Sequence, residues 1–221
     1  MNIANWIANL NFEFADYSAC EGCKVHAGFY WTYLTLATHV IHDVQTLLNR
    51  YATATILVTG HSLGAAMAVH CGLDLVSKVT RGNEVRVYSF GTPRVGNPAF
   101  ASYAASTFPQ KHEYRVTHKA DPVPHLPLEA MGYLHAPHEL WYNNNANTTW
   151  RNCQDSATAE DPLCSDSVPL PIGFEDHLLY LGVCTECSCT SWNNGRGSTE
   201  IHYKDPMLRR LAARGRRMFL G

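Results

Sequence analysis

Several features are missing from this 221-residue sequence, and each absence narrows the class of protein it can encode. No apolar run reaches the roughly 18 residues of a membrane-spanning helix, which excludes such a helix within these residues. No segment is repeated, which excludes a solenoid, and no linker divides the sequence. Cysteine and histidine do not form the matched pairs of a zinc site, so the eight cysteines favour disulfide bonds and an oxidising compartment.

The most informative motif present is Gly60-His61-Ser62-Leu63-Gly64. It follows the β-branched run 54–59 and precedes the small apolar residues 65–69, so the pattern predicts a strand, a tight turn and a helix. This order is that of a nucleophile elbow, which exposes a serine Oγ at a helix N-terminus. We expect Gly60 and Gly64 to be required, because a Cβ at either position would collide with the neighbouring strand and helix. A chance Gly-x-Ser-x-Gly in a loop is the alternative.

Asp121 and His177 are the candidate acid and base that such a serine needs. In folds with a nucleophile elbow the acid and then the histidine follow the serine along the chain, as these two residues do. Asp121 follows a short predicted strand, where a loop residue lies at the carboxyl edge of a sheet. Taken alone, Asp121 is equally typical of an Asp-Pro turn. Four other histidines compete with His177 by composition: His118, His125, His135 and His138.

Further sequence blocks accompany the elbow, in the order 2–10, 20–29, 90–97, 115–127, 132–133, 139–142 and 176–177. From about residue 2 to about residue 184, this set resembles class 3 lipases of the filamentous-fungal type. The resemblance implies an α/β-hydrolase fold with a mostly parallel central sheet. It also implies that Ser62 is the nucleophile, His177 the general base and later acid, and Asp121 the carboxylate that orients the imidazole.

The resemblance has further implications for the first residues and for the oxyanion hole. It implies a lid helix with an apolar stripe at i, i+3, i+4 and i+7, formed by Ile3, Trp6, Ile7 and Leu10. An ordinary core helix has the same spacing. One oxyanion donor would be the amide of Leu63, and the family's second donor, a serine or threonine, would precede Met1. We therefore expect an N-terminally truncated chain that lacks the family's first strands and N-terminal helix, with turnover reduced roughly 10²- to 10³-fold by the missing donor.

The domain organisation is predicted from periodicity and composition. We expect one α/β domain over residues 1–195 and a basic tail over 196–221. Apolar residues at helical spacing between Phe29 and Leu48 predict a helix near 26–50. Strands are predicted near 54–59, 84–90, 112–117 and 139–142, and the polar segment 143–170 is predicted to be irregular. The tail carries seven basic and two acidic residues, typical of a disordered terminus or of a helix on anionic lipid.

Short sequence separations predict two local disulfide bonds, Cys20 with Cys23 and Cys153 with Cys164. A zinc site that joins the Cys20-x-x-Cys23 pair to Cys184-x-x-Cys187 is the alternative. The two pairs lie far apart in the sequence, and the family that the chain resembles does not use zinc there. We therefore expect no metal.

Three other positions bear on the compartment. Cys71, in the apolar helix after the elbow, is expected to be a buried free thiol. In the family a cysteine near Cys184 bridges to the N-terminal region, so we expect Cys184 to lack that partner. Asn147 begins an Asn-Thr-Thr glycosylation sequon in a polar segment, which agrees with secretion.

These inferences lead to a secreted serine hydrolase of carboxylic esters that prefers acylglycerol lipids and needs no cofactor. We expect it to be a monomer that contacts lipid peripherally at an oil–water interface and binds no nucleic acid. A feruloyl esterase or other soluble esterase of the same fold is the nearest enzymatic alternative. A catalytically impaired remnant that only binds lipid interfaces is the alternative outside the enzymes.

Overall fold

The computed structural model describes residues 10–80, 83–108, 112–144 and 149–185. Its strands are β1 (Phe14–Asp16), β2 (Lys24–His26), β3 (Ile56–His61), β4 (Val85–Phe90), β5 (Glu113–His118), β6 (Glu139–Tyr142), β7 (Arg151–Asn152), β8 (Leu179–Tyr180) and β9 (Val183–Cys184). Its α-helices are α1 (Ala27–Arg50), α2 (Leu63–Lys78), α3 (Pro98–Thr107) and the short α4 (Phe174–His177). Single 3₁₀ turns occupy Val123–His125, Glu129–Met131 and Ser165–Ser167.

The central sheet has the strand order β3-β4-β5-β6-β7 within the described residues. Strands β3 to β6 run parallel to one another, and β7 pairs with β6 in the antiparallel direction. Parallel neighbours need crossover connections, which α2 supplies between β3 and β4 and α3 supplies between β4 and β5. The mostly parallel sheet predicted from the sequence is therefore confirmed. The carboxyl ends of β3, β4 and β5 meet at one edge, where sheets of this kind hold their functional residues.

Helix α1 begins and ends within one residue of the predicted bounds. The Nδ1 atom of His26 caps it by accepting a hydrogen bond from the Phe29 amide at 3.3 Å. Its buried face contains Phe29, Tyr33 and Ala37. Leu36 and Leu47 belong to the same apolar pattern but are 49% and 55% exposed, so the helix buries a narrower stripe than its sequence suggests.

The core lies between α2, α3 and the sheet, because small residues on α2 allow close packing. A Cβ at Gly72 of α2 would collide with the side chain of Val87 on β4, so glycine lets the helix approach the sheet. Leu73, Val87 and Phe100 belong to one buried apolar cluster. Helix α3, which the sequence analysis did not predict, is capped by Asn97, whose side chain accepts a hydrogen bond from the Phe100 amide at 3.0 Å.

Disulfide bonds join Cys20 to Cys23 and Cys153 to Cys164. The thiol of Cys71 is free and half-buried, and burial raises its pKa to about 11. Cys184 is also disulfide-bonded, so it is not left as an odd cysteine. The segment 143–170 is less irregular than predicted, because it contains β7, a 3₁₀ turn and the Cys153–Cys164 bond.

Some predicted features lie outside the described residues. They are the proposed lid residues Ile3, Trp6 and Ile7, the sequon at Asn147, and the basic tail 196–221. The fourth lid residue, Leu10, is described, and its partly buried side chain packs against the main apolar cluster. Among the described helices, none combines the length and the apolar character that crossing a bilayer requires.

Candidate active site

Ser62 lies in the turn between β3 and α2 and has a strained backbone conformation. Its φ is 57° and its ψ is −127°, values that a residue with a Cβ rarely adopts. Its amide donates a hydrogen bond to the carbonyl of Phe90 on β4 at 3.0 Å, which holds the turn against the sheet. The Ser62 side chain makes no capping bond to α2, so its hydroxyl is not committed to the helix. The strand, the strained turn and the helix together have the geometry of a nucleophile elbow.

The two glycines of the elbow are not equivalent. A Cβ at Gly60 would collide with the carbonyl of Gly64 and lie 2.8 Å from the Ala65 amide nitrogen, so position 60 cannot hold a larger residue without movement of the backbone. A Cβ at Gly64 would meet no atom within 4 Å. The expectation that a side chain at position 64 would collide is therefore wrong. A side chain at position 64 would face open space at the start of α2. The close contact with Gly60 involves only the backbone of Gly64.

Asp121 and His177 form a buried pair at the carboxyl edge of the sheet. His177 Nδ1 lies 3.0 Å from Asp121 Oδ1 and 2.9 Å from Asp121 Oδ2. Each side chain is 1% exposed. A carboxylate only accepts hydrogen bonds, so Nδ1 carries the proton and donates it toward Asp121. This contact joins residues 56 positions apart in the sequence and fixes the tautomer of the ring.

Asp121 has two further donors. The Tyr180 hydroxyl donates to Oδ2 at 2.5 Å, and the Val123 amide donates to Oδ1 at 2.8 Å. Burial raises the pKa of Tyr180 well above its usual value, and the Asp121 carboxylate raises it further, so the hydroxyl keeps its proton. The buried carboxylate is thus fully hydrogen-bonded and held in one orientation. The sequence analysis did not identify Tyr180, and its position three residues after His177 was the only available signal.

Gly91 packs directly against the Asp121–His177 pair. A Cβ at this position would lie 3.0 Å from Asp121 Oδ2 and 3.1 Å from both Cε1 and Nδ1 of His177. The residue also has a φ of +56°, which glycine adopts without strain. Position 91 therefore requires glycine for both its backbone conformation and its packing. The sequence analysis included Gly91 in the block 90–97 but did not predict its contact with Asp121 and His177.

The second ring nitrogen of His177 is available for chemistry. Nε2 is buried and has no hydrogen-bond partner among the described residues. Five other described histidines also have a buried ring nitrogen without a partner, so this feature is informative only together with the contact of the other His177 nitrogen with Asp121. His177 lies near the elbow, because its ring centroid is 4.5 Å from that of His61, the residue before Ser62.

The short helix α4 that carries His177 is tied to the end of β5. The Asp176 carboxylate accepts a hydrogen bond from the Ala120 amide at 3.2 Å and lies 3.0 Å from Lys119 Nζ. The Gly173 amide donates to the Ala120 carbonyl at 2.8 Å. His118 Nδ1 lies 3.0 Å from the Asp176 carbonyl and, because that carbonyl can only accept, donates to it. These bonds hold His177 beside the loop that carries Asp121.

The histidines that compete with His177 for the role of base have contacts other than a hydrogen bond to Asp121. His118 contacts Asp176, and His135 Nε2 lies 2.8 Å from the Pro124 carbonyl. Burial lowers the pKa of His125 and of His138, which favours their neutral forms. Within the described residues, the ring hydrogen-bonded to Asp121 is that of His177.

Two groups of side chains have the spacing of metal ligands within the described part of the chain. One contains Glu139 with Cys153 and Cys164, but those sulfurs form a disulfide bond and are not thiolate ligands. The other contains Glu129, Glu160 and Asp166. The Arg94 guanidinium already occupies that cluster, because it bonds to Glu160 at 2.8 Å and lies 3.5 Å from Glu129. Its single positive charge offsets one of the three carboxylates.

The chain is similar to proteins of known family. The family model described as lipase (class 3) matches residues 1–131. A lipase of Rhizomucor miehei is 38% identical over 187 residues, which are 83% of this chain and 50% of that protein. The secreted mono- and diacylglycerol lipase A of Penicillium cyclopium is 32% identical over 183 residues, which are 81% of this chain and 58% of that protein. This chain spans about half the length of the curated relatives that it matches.

A solved structure gives the same relationship in three dimensions. It is a triacylglycerol lipase whose catalytic centre is described as a serine protease triad. It superimposes with a TM-score of 0.76 at 38% identity, covering 83% of this chain and 69% of that one. Fungal lipase structures of this kind have the α/β-hydrolase fold, so the predicted fold class is confirmed.

Proposed function

This chain belongs to the class 3 lipase family, and we propose that it hydrolyses carboxylic esters of acylglycerol lipids with Ser62 as nucleophile, His177 as base and Asp121 as the orienting acid. The observation that carries the proposal is the buried Asp121–His177 pair, which leaves one ring nitrogen without a partner beside a strained serine turn. A turn aspartate and a structural histidine would not need this arrangement.

The geometry supports a two-step acyl transfer. The Ser62 hydroxyl attacks the ester carbonyl while His177 Nε2 takes its proton, and the Asp121 carboxylate stabilises the imidazolium that forms. His177 then gives the proton to the leaving alcohol, which departs from the acyl-enzyme. Water attacks the acyl group with His177 again as base, releasing the fatty acid and restoring Ser62. A hydrogen bond between the Ser62 hydroxyl and His177 Nε2 is expected to form when substrate binds, since catalytic contacts often become well aligned only in the substrate complex.

The amide of Leu63 is the proposed oxyanion donor. It belongs to the first turn of α2, where amides have no carbonyl partner within the helix and the helix dipole favours negative charge. The carbonyl oxygen of the ester becomes negative when Ser62 attacks. A donor fixed next to the nucleophile therefore stabilises the transition state more than it stabilises the bound ester.

Exposed apolar side chains near the proposed catalytic loops support a lipid substrate. Leu170 and Ile172 are 67% and 62% exposed in the segment that leads to α4. Leu128 and Met131, in the segment after Asp121, are 50% and 44% exposed. Such side chains are suited to contact with a lipid surface. With the two disulfide bonds and a relative named as a secreted lipase, they support a secreted, interfacial enzyme.

Ester turnover and covalent labelling test the proposal together. The 221-residue chain should release 4-nitrophenol from a butyrate ester, and a serine-reactive phosphonate should stop turnover and label the peptide that contains Ser62. Emulsified triacylglycerol, monoacylglycerol and methyl ferulate distinguish a lipase from a feruloyl esterase. A chain that binds lipid vesicles but shows neither turnover nor labelling would contradict the proposed activity.

A further inference from the structure

His61, the residue immediately before Ser62, contacts the histidine that serves as the proposed base. His61 Nε2 lies 2.8 Å from the main-chain carbonyl oxygen of His177. A carbonyl oxygen only accepts, so His61 Nε2 carries a proton and donates it. The two rings also pack together, with centroids 4.5 Å apart and planes inclined by 39°. One side chain at the elbow thus contacts both the backbone and the ring of His177.

This contact differs in kind from the others that hold α4. The bonds of Asp176 to Ala120 and Lys119 fasten the helix to the end of β5, on the side of Asp121. They fix the distance between base and acid. The His61 bond fastens α4 to the end of β3, where the nucleophile lies, and therefore controls the distance between base and nucleophile.

The His177 carbonyl has only weak alternatives to this donor. The Thr185 hydroxyl approaches it at 3.5 Å, which is the limit of a useful hydrogen bond. Helix α4 has four residues and no side-chain cap at its N-terminus, so its own hydrogen bonds do little to fix its C-terminal carbonyl. The His61 donor is the short, directed contact at this point.

The charge state of His61 suits this role. Its pKa is lowered to about 4, chiefly by burial and in smaller part by the neighbouring His177 ring. His61 is therefore a neutral donor at neutral pH. A neutral donor holds the His177 backbone without opposing the positive charge that His177 acquires during acyl transfer.

We propose that His61 is a positioning residue for the base: its Nε2–H holds the main chain of His177 so that Nε2 of His177 faces the Ser62 hydroxyl. This inference rests on the proposed function. A small misplacement of a reacting group has a large effect on rate, so loss of the donor is expected to lower kcat rather than substrate binding.

Two substitutions separate the donor from the ring. His61→Leu removes the donor, and kcat per phosphonate-titrated active site should fall by about 10- to 100-fold with little change in KM. His61→Gln places an amide N–H near the position of the lost Nε2–H and should keep kcat within about threefold of the wild type. An equal loss in both variants, or no loss in either, would overturn the proposal.

His135→Leu is the matched control. His135 Nε2 also lies 2.8 Å from a main-chain carbonyl, that of Pro124, and the residue is 3% exposed. We expect this substitution to lower the thermal midpoint while kcat per titrated site stays near the wild-type value. If His135→Leu lowers kcat as much as His61→Leu does, the effect of His61 is one of general stability and the positioning role is wrong.

A spectroscopic measurement keeps the inference separate from the proposed activity. The His177 Nδ1 proton, which is shared with Asp121, can be observed by proton NMR whether or not the chain turns over an ester. It should be sharp in the wild type and in His61→Gln, and broadened by exchange with water in His61→Leu. A sharp signal in all three would overturn the role of His61, and an inactive wild type with the expected signals would count against the proposed function alone.

Discussion

Tyr180 donates a hydrogen bond from its hydroxyl to Asp121 Oδ2 across 2.5 Å, so a residue of β8 completes the hydrogen bonding of this buried carboxylate. Tyr180→Phe should destabilise the protein by about 1–3 kcal/mol, because a buried carboxylate loses a donor without regaining water. It should also lower kcat, since Asp121 can then rotate away from His177. Urea unfolding and steady-state turnover measure the two effects.

Tyr133→Phe is the control for Tyr180→Phe. The Tyr133 hydroxyl donates to the Phe12 carbonyl at 3.0 Å, and the residue is 1% exposed. This variant should lose stability but keep kcat. Equal turnover by wild type and Tyr180→Phe would show that the tyrosine does not hold the acid in place.

The proposed triad predicts a severe loss from single substitutions. Ser62→Ala and His177→Ala should each lower kcat by at least about 10³-fold, because the members act as a unit. Asp121→Asn should cost about 10³- to 10⁴-fold, since an amide favours the wrong tautomer of His177. Ser106→Ala, at an exposed serine of α3, should have no effect. Full turnover by any of the first three variants would remove that residue from the mechanism.

Gly91→Ala should impair catalysis without removing any polar group. The new methyl would lie about 3 Å from Asp121 and His177 and would push the pair apart, so kcat should fall by about 10²-fold. Gly22→Ala is the control, because Gly22 has a similar φ of +70° but no atom within 4 Å of the added Cβ. Both variants should lose stability, but only Gly91→Ala should lose turnover per titrated site.

The two elbow glycines should respond differently to alanine. Gly60→Ala should abolish soluble expression or phosphonate labelling, because its methyl collides with the backbone of Gly64 and Ala65. Gly64→Ala should fold and be labelled normally, since helix interiors tolerate alanine better than glycine. Labelling rates and thermal midpoints decide the comparison, and equal behaviour of the two variants would contradict the packing described for the turn.

Glu113 predicts a pH-dependent loss of stability. Burial raises the pKa of this carboxyl to about 7, although the Arg115 charge partly opposes the shift. Because the folded-state pKa is raised, the protonated form stabilises the fold at low pH, and this contribution is lost as the pH rises through 7. Between pH 5 and 9 the wild type should lose on the order of 2–3 kcal/mol of unfolding free energy relative to Glu113→Gln.

Glu21→Gln, a change at an exposed carboxyl, is the control for Glu113→Gln. Urea unfolding at several pH values gives the differences directly. A pH-independent gap between the wild type and Glu113→Gln would mean that Glu113 ionises in the folded protein as it does in the unfolded chain.

The elements around the site were predictable because their patterns are local. The strand and helix on either side of Ser62 follow from a β-branched run, two glycines and a run of small residues, and the strand before Asp121 is equally clear. The contacts that organise the site are not local. Tyr180 and His61 reach partners 59 and 116 residues away, and no sequence period encodes such pairs.

The sequence-based predictions that differ from the structure have physical causes as well. Gly64 was expected to be sterically required, but the direction in which its Cβ would point depends on the turn geometry and not on residue type. Helix α3 was missed because it is ten residues long and rich in small residues, so it lacks a strong apolar stripe. Its capping Asn97 and the following proline were the available signals.

The contacts of Asp121 with His177 and Tyr180 also determine how late in translation the proposed site can assemble. β3, β4 and β5 are synthesised before α4 and β8, so a nascent chain can build the sheet and the serine turn while the base does not yet exist. A ribosome-bound chain that stops before residue 177 carries Ser62 without the proposed base. The proposed hydrolytic activity therefore cannot begin until nearly all of the described chain has been made.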